Sequence, residues 1–149
     1  MLLELNIKNF AIIEDLRIQF TRGLNLLTGE TGTGKSIIIE ALGIVLGGRG
    51  TKNLIRTGKD RATIQATFLI NDIKGIESVL NEYGIQVEED GLLIISREII
   101  KNYPSISRIN GSTVTLNILN KISSHLVDIF AQNEHQSLLN IVNLRILID

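Results

Sequence analysis

The chain has 149 residues, 44% of them hydrophobic and 21% charged, with a formal net charge of −1. That length and apolar content suffice for one domain with a buried core and exclude a disordered tail. The balanced charge excludes a polycationic surface, so any contact with nucleic acid must be local or come from another segment.

Cysteine is absent, which rules out disulfides and thiolate metal sites and is compatible with a reducing cytosol. The start, Met1-Leu2-Leu3-Glu4-Leu5, lacks the basic region and continuous apolar stretch of a signal peptide. The longest apolar run, around Ile37 to Leu46, is broken by Glu40 and Gly43 and falls short of the roughly 20 residues that span a bilayer. A cytoplasmic protein that does not enter the membrane is expected.

In chain order, Leu3, Leu5 and Ile7 alternate with polar residues, and so do Leu16, Ile18 and Phe20, predicting two half-buried strands. Gly23 to Thr28 is short and apolar and predicts a buried strand leading into Gly29-Glu30-Thr31-Gly32-Thr33-Gly34-Lys35-Ser36. That octet fits G-x-x-x-x-G-K-[ST], the phosphate-binding loop or Walker A pattern, at every fixed position. Its glycines let the backbone curl so that successive N–H groups face phosphate oxygens. Lys35 supplies charge to the β- and γ-phosphates, and the Ser36 hydroxyl supplies a ligand for Mg²⁺. Ser36 to Leu46 follows with helical spacing, which aims free N–H groups and the positive dipole end at the phosphates. A plain glycine-rich turn needs neither Lys35 nor Ser36.

Leu46-Gly47-Gly48-Arg49-Gly50 reads as a helix end with glycine in the left-handed conformation. Ala62 to Ile70 alternates cleanly and predicts a third strand, and Ile73 to Tyr83 predicts a helix stopped at Gly84. Leu92 to Ile100 and Ser105 to Ile109 predict strands, and Asn110-Gly111 predicts a two-residue hairpin into Ser112 to Thr115. Leu116 to Ser123 suits a helix, Leu126 to Phe130 a buried strand, and Asn133 to Asp149 a further helix. Strands ahead of the phosphate-loop strand resemble the arrangement in ABC and SMC ATPases, whereas a simple nucleotide kinase usually begins with that strand.

Hydrolysis needs an acidic residue on a second strand and a group that orients water. No apolar strand ends convincingly in such an acid: Leu126-Val127-Asp128 is too short before it, and Arg145 interrupts the run into Asp149. Gln132, just past the strand expected at Leu126 to Phe130, is placed either to reach Mg²⁺ and the γ-phosphate or as a solvated loop residue; spacing leaves both open. His125 and His135 have no partner pattern. Arg49, Lys52, Arg56, Lys59 and Arg61 form a basic stretch that reads as a solvated face or as a contact to phosphate.

Taken together, Asn9 to Leu16, Phe20, Gly23 to Ser36, Glu40-Ala41-Leu42-Gly43 and Leu46 to Arg49 closely resemble the start of the RecN family of bacterial DNA-repair ATPases. Arg56-Thr57-Gly58, Ile109-Asn110-Gly111 and Gln132-Asn133-Glu134-His135-Gln136 extend the likeness over nearly the whole chain. The resemblance implies an α/β fold, a P-loop NTPase of ABC/SMC type, this chain being the N-terminal lobe with a mixed sheet and an antiparallel β-subdomain. It implies one domain, residues 1–149, of a split head, and a coiled coil and C-terminal lobe with the signature and acidic strand lying outside it. Two heads would sandwich ATP, and the whole protein would engage DNA in double-strand break repair, associated with the nucleoid. It further implies that Gln132 is the Mg²⁺-sensing glutamine and that Asn9 lies close to the nucleotide. A lobe without the acid and signature is expected to hydrolyse ATP poorly. The competing readings are a self-sufficient phosphotransferase, for which no acid or acceptor site is found, and an interaction module with a vestigial loop.

Overall fold

The computed structural model describes residues 1–20, 33–70, 74–87 and 90–133. Two strands, β1 (Leu2–Phe10) and β2 (Ile13–Gln19), form an antiparallel hairpin. Helix α1 (Thr33–Val45) follows, then a short 3-10 turn (Lys52–Leu54), strand β3 (Arg61–Leu69) and helix α2 (Lys74–Glu82). Strands β4 (Leu92–Ile100), β5 (Ile106–Ile109) and β6 (Ser112–Val114) lead into helix α3 (Leu116–Asn133).

The strands form one six-stranded sheet in the order β2-β1-β3-β4-β5-β6, antiparallel at every pairing among the described residues. Successive residues of a strand point to opposite sides of the sheet, and one side of β1, β3 and β4 faces the core. Leu5 and Ile7 of β1, Ile64, Ala66 and Phe68 of β3, and Leu93, Ile95 and Ile99 of β4 are all buried. Helix α1 packs on β3 and β4, and α3 on β5 and α2. The opposite face carries Asn6, Thr63, Gln65 and Ser96 in register, a polar layer that needs no cover.

Several expectations shift. Leu2 is buried in place of Leu3, because a bulge between Leu2 and Glu4 changes the register against β3. The stretch Leu126 to Phe130, expected as a buried strand, is instead part of α3. No glycine or proline lies between Thr115 and Asn133 to end a helix, and Leu119, Ile122 and Leu126 fall on one buried stripe. Thr115 opens this helix: its hydroxyl accepts the Ile118 N–H at 3.2 Å. The strand expected at Gly23 to Thr28, and with it the mixed character of the sheet, lies outside the described residues, as does the helix expected beyond Asn133.

The other elements fall where patterning placed them. Asn110 and Gly111 both have positive φ, 49° and 85°, as a type I′ turn requires. Asn110 also donates through its carboxamide to the Gln86 carbonyl at 2.9 Å and accepts the Ile94 N–H at 2.8 Å. It thereby extends the β4 ladder past the end of β5.

Candidate nucleotide-binding site

Of the octet Gly29 to Ser36, the first four residues lie outside the described ones, and Thr33, Gly34, Lys35 and Ser36 form the first turn of α1. The leading N–H groups of a helix have no intrahelical acceptor, so this turn presents donors that the helix itself does not use and the positive end of the helix dipole. Ser36 is exposed there. Farther along, Ile39, Leu42 and Val45 are buried and seat α1 on the sheet.

The far end of α1 is closed tightly. Gly47 N–H donates to the Ile44 carbonyl at 3.0 Å and Gly48 N–H to the Gly43 carbonyl at 2.9 Å, the paired bonds of a Schellman cap. Gly47 has φ 113°, and a Cβ there would collide with the Asn120 side chain of α3. The sequence alone identified this cap, and the structure bears it out.

Sequence reasoning missed Arg97. It sits at an inward position of β4 between Ile95 and Ile99, only 1% exposed. Its Nη1 donates to the Ile44 carbonyl at 2.6 Å and to the Gly48 carbonyl at 2.9 Å, so one guanidinium brackets the cap of α1. Burial pushes its proton affinity down from the usual arginine value. The sequence signal was weak: Leu92 to Ile100 carries apolar residues on both sides, so only the fold shows that Arg97 shares the inward side with Leu93, Ile95 and Ile99, where a charge must find a partner.

Asn9 and Ala11 flank the buried Phe10 at the β1–β2 turn, and both adopt positive φ, 53° and 55°. Three hydrogen bonds strap the turn to the segment beyond the α1 cap. Arg56 N–H donates to the Asn9 carbonyl at 2.8 Å, Ala11 N–H to the Leu54 carbonyl at 2.7 Å, and Arg56 Nη1 to the Ile12 carbonyl at 2.8 Å.

Much of the basic stretch is thereby committed inside the fold. Lys52 Nζ donates to the carbonyls of Ile100, Lys101 and Tyr103 at 3.0, 2.8 and 3.1 Å. Arg61 pairs with Glu98 at 2.7 Å, and Arg108 pairs with the same carboxylate. Arg49 and Lys59 are exposed and unpaired among the described residues.

Gln132 falls near the end of α3 and not in a loop after a strand, so the geometry from which its placement was argued is replaced by a helical one. His125 is exposed on α3, and His135 lies outside the described residues. No cluster of three or more histidine or acidic side chains suited to a metal occurs among the described residues. None of the described helices is long and apolar enough to cross a membrane.

The chain belongs to the AAA domain family, whose model matches residues 4–147. Its fold is that of the N-terminal lobe of a P-loop ATPase of ABC/SMC type: a structure from work on ATP-driven dimerization and DNA-stimulated activation of SMC ATPases superposes with a TM-score of 0.64 at 24% identity, covering 83% of this chain and 78% of that one. Within the family the likeness is to the DNA repair protein RecN. The chain is 49% identical to RecN of Halalkalibacterium halodurans over 94% of its own length and 43% identical to RecN of Bacillus subtilis over 93%. It spans about a quarter of the length of these relatives, 25% and 24%.

Proposed function

We propose that the chain is the ATP-binding N-terminal lobe of an SMC-like ATPase acting in DNA double-strand break repair. The observation that carries this reading is the complete phosphate-loop sequence running into α1, whose first turn is Thr33 to Ser36 and whose body is held on an antiparallel sheet. A loop of that composition at a helix N-terminus offers N–H donors, a dipole and Lys35 to the phosphates of a nucleoside triphosphate.

In this reading Gly29 to Ser36 cradle the β- and γ-phosphates, Lys35 neutralises their charge, and the Ser36 hydroxyl and Gln132 carboxamide hold Mg²⁺. The donor set fits: a hydroxyl and a carboxamide are the hard oxygen ligands that Mg²⁺ accepts beside phosphate and water. Magnesium, when bound, spreads the charge of the transferred phosphoryl group. Asn9 lies near the nucleotide on its strapped turn. The acid that completes hydrolysis is supplied by a C-terminal lobe of the same protein, and the signature by that lobe in a second head joined on ATP binding. DNA is engaged by the whole protein in the cytoplasm.

The test is titration with a fluorescent ATP analogue in the presence of Mg²⁺. Saturable binding by the wild-type chain and its loss in Lys35→Ala by about 100-fold are expected, since a phosphate-directed charge is removed. No saturable binding, even with the C-terminal lobe added, would sink the reading and favour an interaction module.

A further inference from the structure

Among the described residues, Arg97 is a buried cation without an ion-pair partner. The ion pairs among the described residues join Arg17 to Glu4 and Arg61 and Arg108 to Glu98, all involving exposed or half-buried arginines. Arg97 has Ile64 of β3 and Ser107 of β5 as its cross-strand neighbours, and its Nε has no hydrogen-bond partner. Taking a guanidinium out of water is costly unless something of opposite sign meets it. Here that something is the carbonyl end of α1, where the peptide dipoles sum to a partial negative charge.

The geometry is specific about what is held. Ile44 belongs to the last turn of α1 and Gly48 lies past its cap, so a single Nη1 bonded to both ties the last turn to the chain beyond it and both to β4. The 13 residues of α1 make a rod about 20 Å long. A displacement at its capped end is therefore carried to Thr33 to Ser36 at the other end.

We propose that Arg97 is a positioning residue for the nucleotide site: it locks the C-terminal cap of α1 to the sheet and so fixes the phosphate-binding turn at the opposite end of that helix. The proposal rests on the ATP-binding reading given above. It makes Arg97 act through α1 and not by touching nucleotide. It also makes the coupling reciprocal, so nucleotide at one end stabilises the cap at the other.

The experiment uses the full chain with Mg·ATP and has two arms. In the first, Arg97→Met removes the charge at similar length and is expected to weaken binding of a fluorescent ATP analogue by about tenfold, with Arg97→Lys recovering part of the loss. A purely structural role would lower the melting temperature of Arg97→Met and leave its affinity alone. In the second, hydrogen exchange on the wild type reads the amides of Gly47 and Gly48, which should slow on addition of saturating Mg·ATP together with those of Thr33 to Ser36. This arm decides the matter even if Arg97→Met does not fold. Protection confined to Thr33 to Ser36, or a folded Arg97→Met that binds as tightly as wild type, would overturn the proposal. A wild type that, even with the C-terminal lobe added, neither binds the analogue nor gains protection at Thr33 to Ser36 would overturn the ATP-binding reading, and this proposal with it.

Discussion

Ala11 holds φ at 55° with a Cβ that crowds the following carbonyl, a conformation that costs an ordinary residue about 1–2 kcal/mol. What keeps it there is its surroundings: Phe10 beside it is wholly buried, and its own N–H is bonded to the Leu54 carbonyl. Ala11→Gly should therefore stabilise the protein by about 1 kcal/mol, read as an increased denaturant midpoint with unchanged slope. A lower midpoint would mean that the turn is not strained. Asn9 tolerates the same region better, because a short polar side chain softens the left-handed penalty. Neither backbone state was legible in the sequence, since the run Asn9 to Ile12 has no glycine to announce it. Glycines 47, 84 and 111 did announce theirs, and all three have positive φ where a cap, a helix stop and a hairpin were expected.

Local pattern was a good guide to elements wherever it had one period and clear ends. Strand β3 was legible from its alternation, β4 from its branched residues, and the hairpin at Asn110 from its turn chemistry. Helix α3 was half legible: Leu126-Val127-Asp128-Ile129-Phe130 is apolar at either period, and only the lack of a breaker before it reveals that the helix runs on.

Cross-strand chemistry is also an element-scale property. Glu98 on β4 meets Arg61 on β3 and Arg108 on β5, and the hydrogen bond from Arg108, more than that from Arg61, holds its carboxyl below the ordinary value of 4.5. A carboxyl whose folded affinity for protons is depressed adds stability above its unfolded value and loses it as pH falls through the folded one. Glu98→Gln is expected to cost about 1 kcal/mol near neutrality and to show a shallower loss of stability below pH 4.5, measured by chemical denaturation across pH. Parallel curves for the two proteins would show that the clamp contributes nothing. Some acid sensitivity should persist in the variant, because Glu4 is lowered in the same direction, chiefly by Arg17.

At the scale of the molecule, the described helices pack on one face of the sheet, a division that the alternation of β1 and β3 already encoded and that β4, apolar on both sides at Leu92 to Ile95, did not. The candidate site was legible as a motif, because Gly29 to Ser36 are contiguous in sequence. Its support was not, because Arg97 meets the α1 cap across 53 and 49 residues of chain. A contact of that range leaves no local pattern, and with apolar residues on both sides of Leu92 to Ile100 the inward side of Arg97 could not be read either. The same blindness affects a count of charges. The five cations from Arg49 to Arg61 look alike in sequence, yet three are fasteners within the fold.

The seat of Lys52 shows what that implies for substitution. A tetrahedral ammonium aims three protons from one nitrogen at three carbonyl oxygens, whereas a guanidinium holds its five protons in one plane. At position 52 selection should thus act on the shape of the cation as well as its sign. Lys52→Arg is expected to lose about 1–2 kcal/mol in thermal unfolding, while the same exchange at the solvated Lys59 passes unnoticed. Equal melting of the two variants would reduce the seat to a passive resting place. If they differ, lysine and arginine are separate letters at one of these two positions and synonyms at the other.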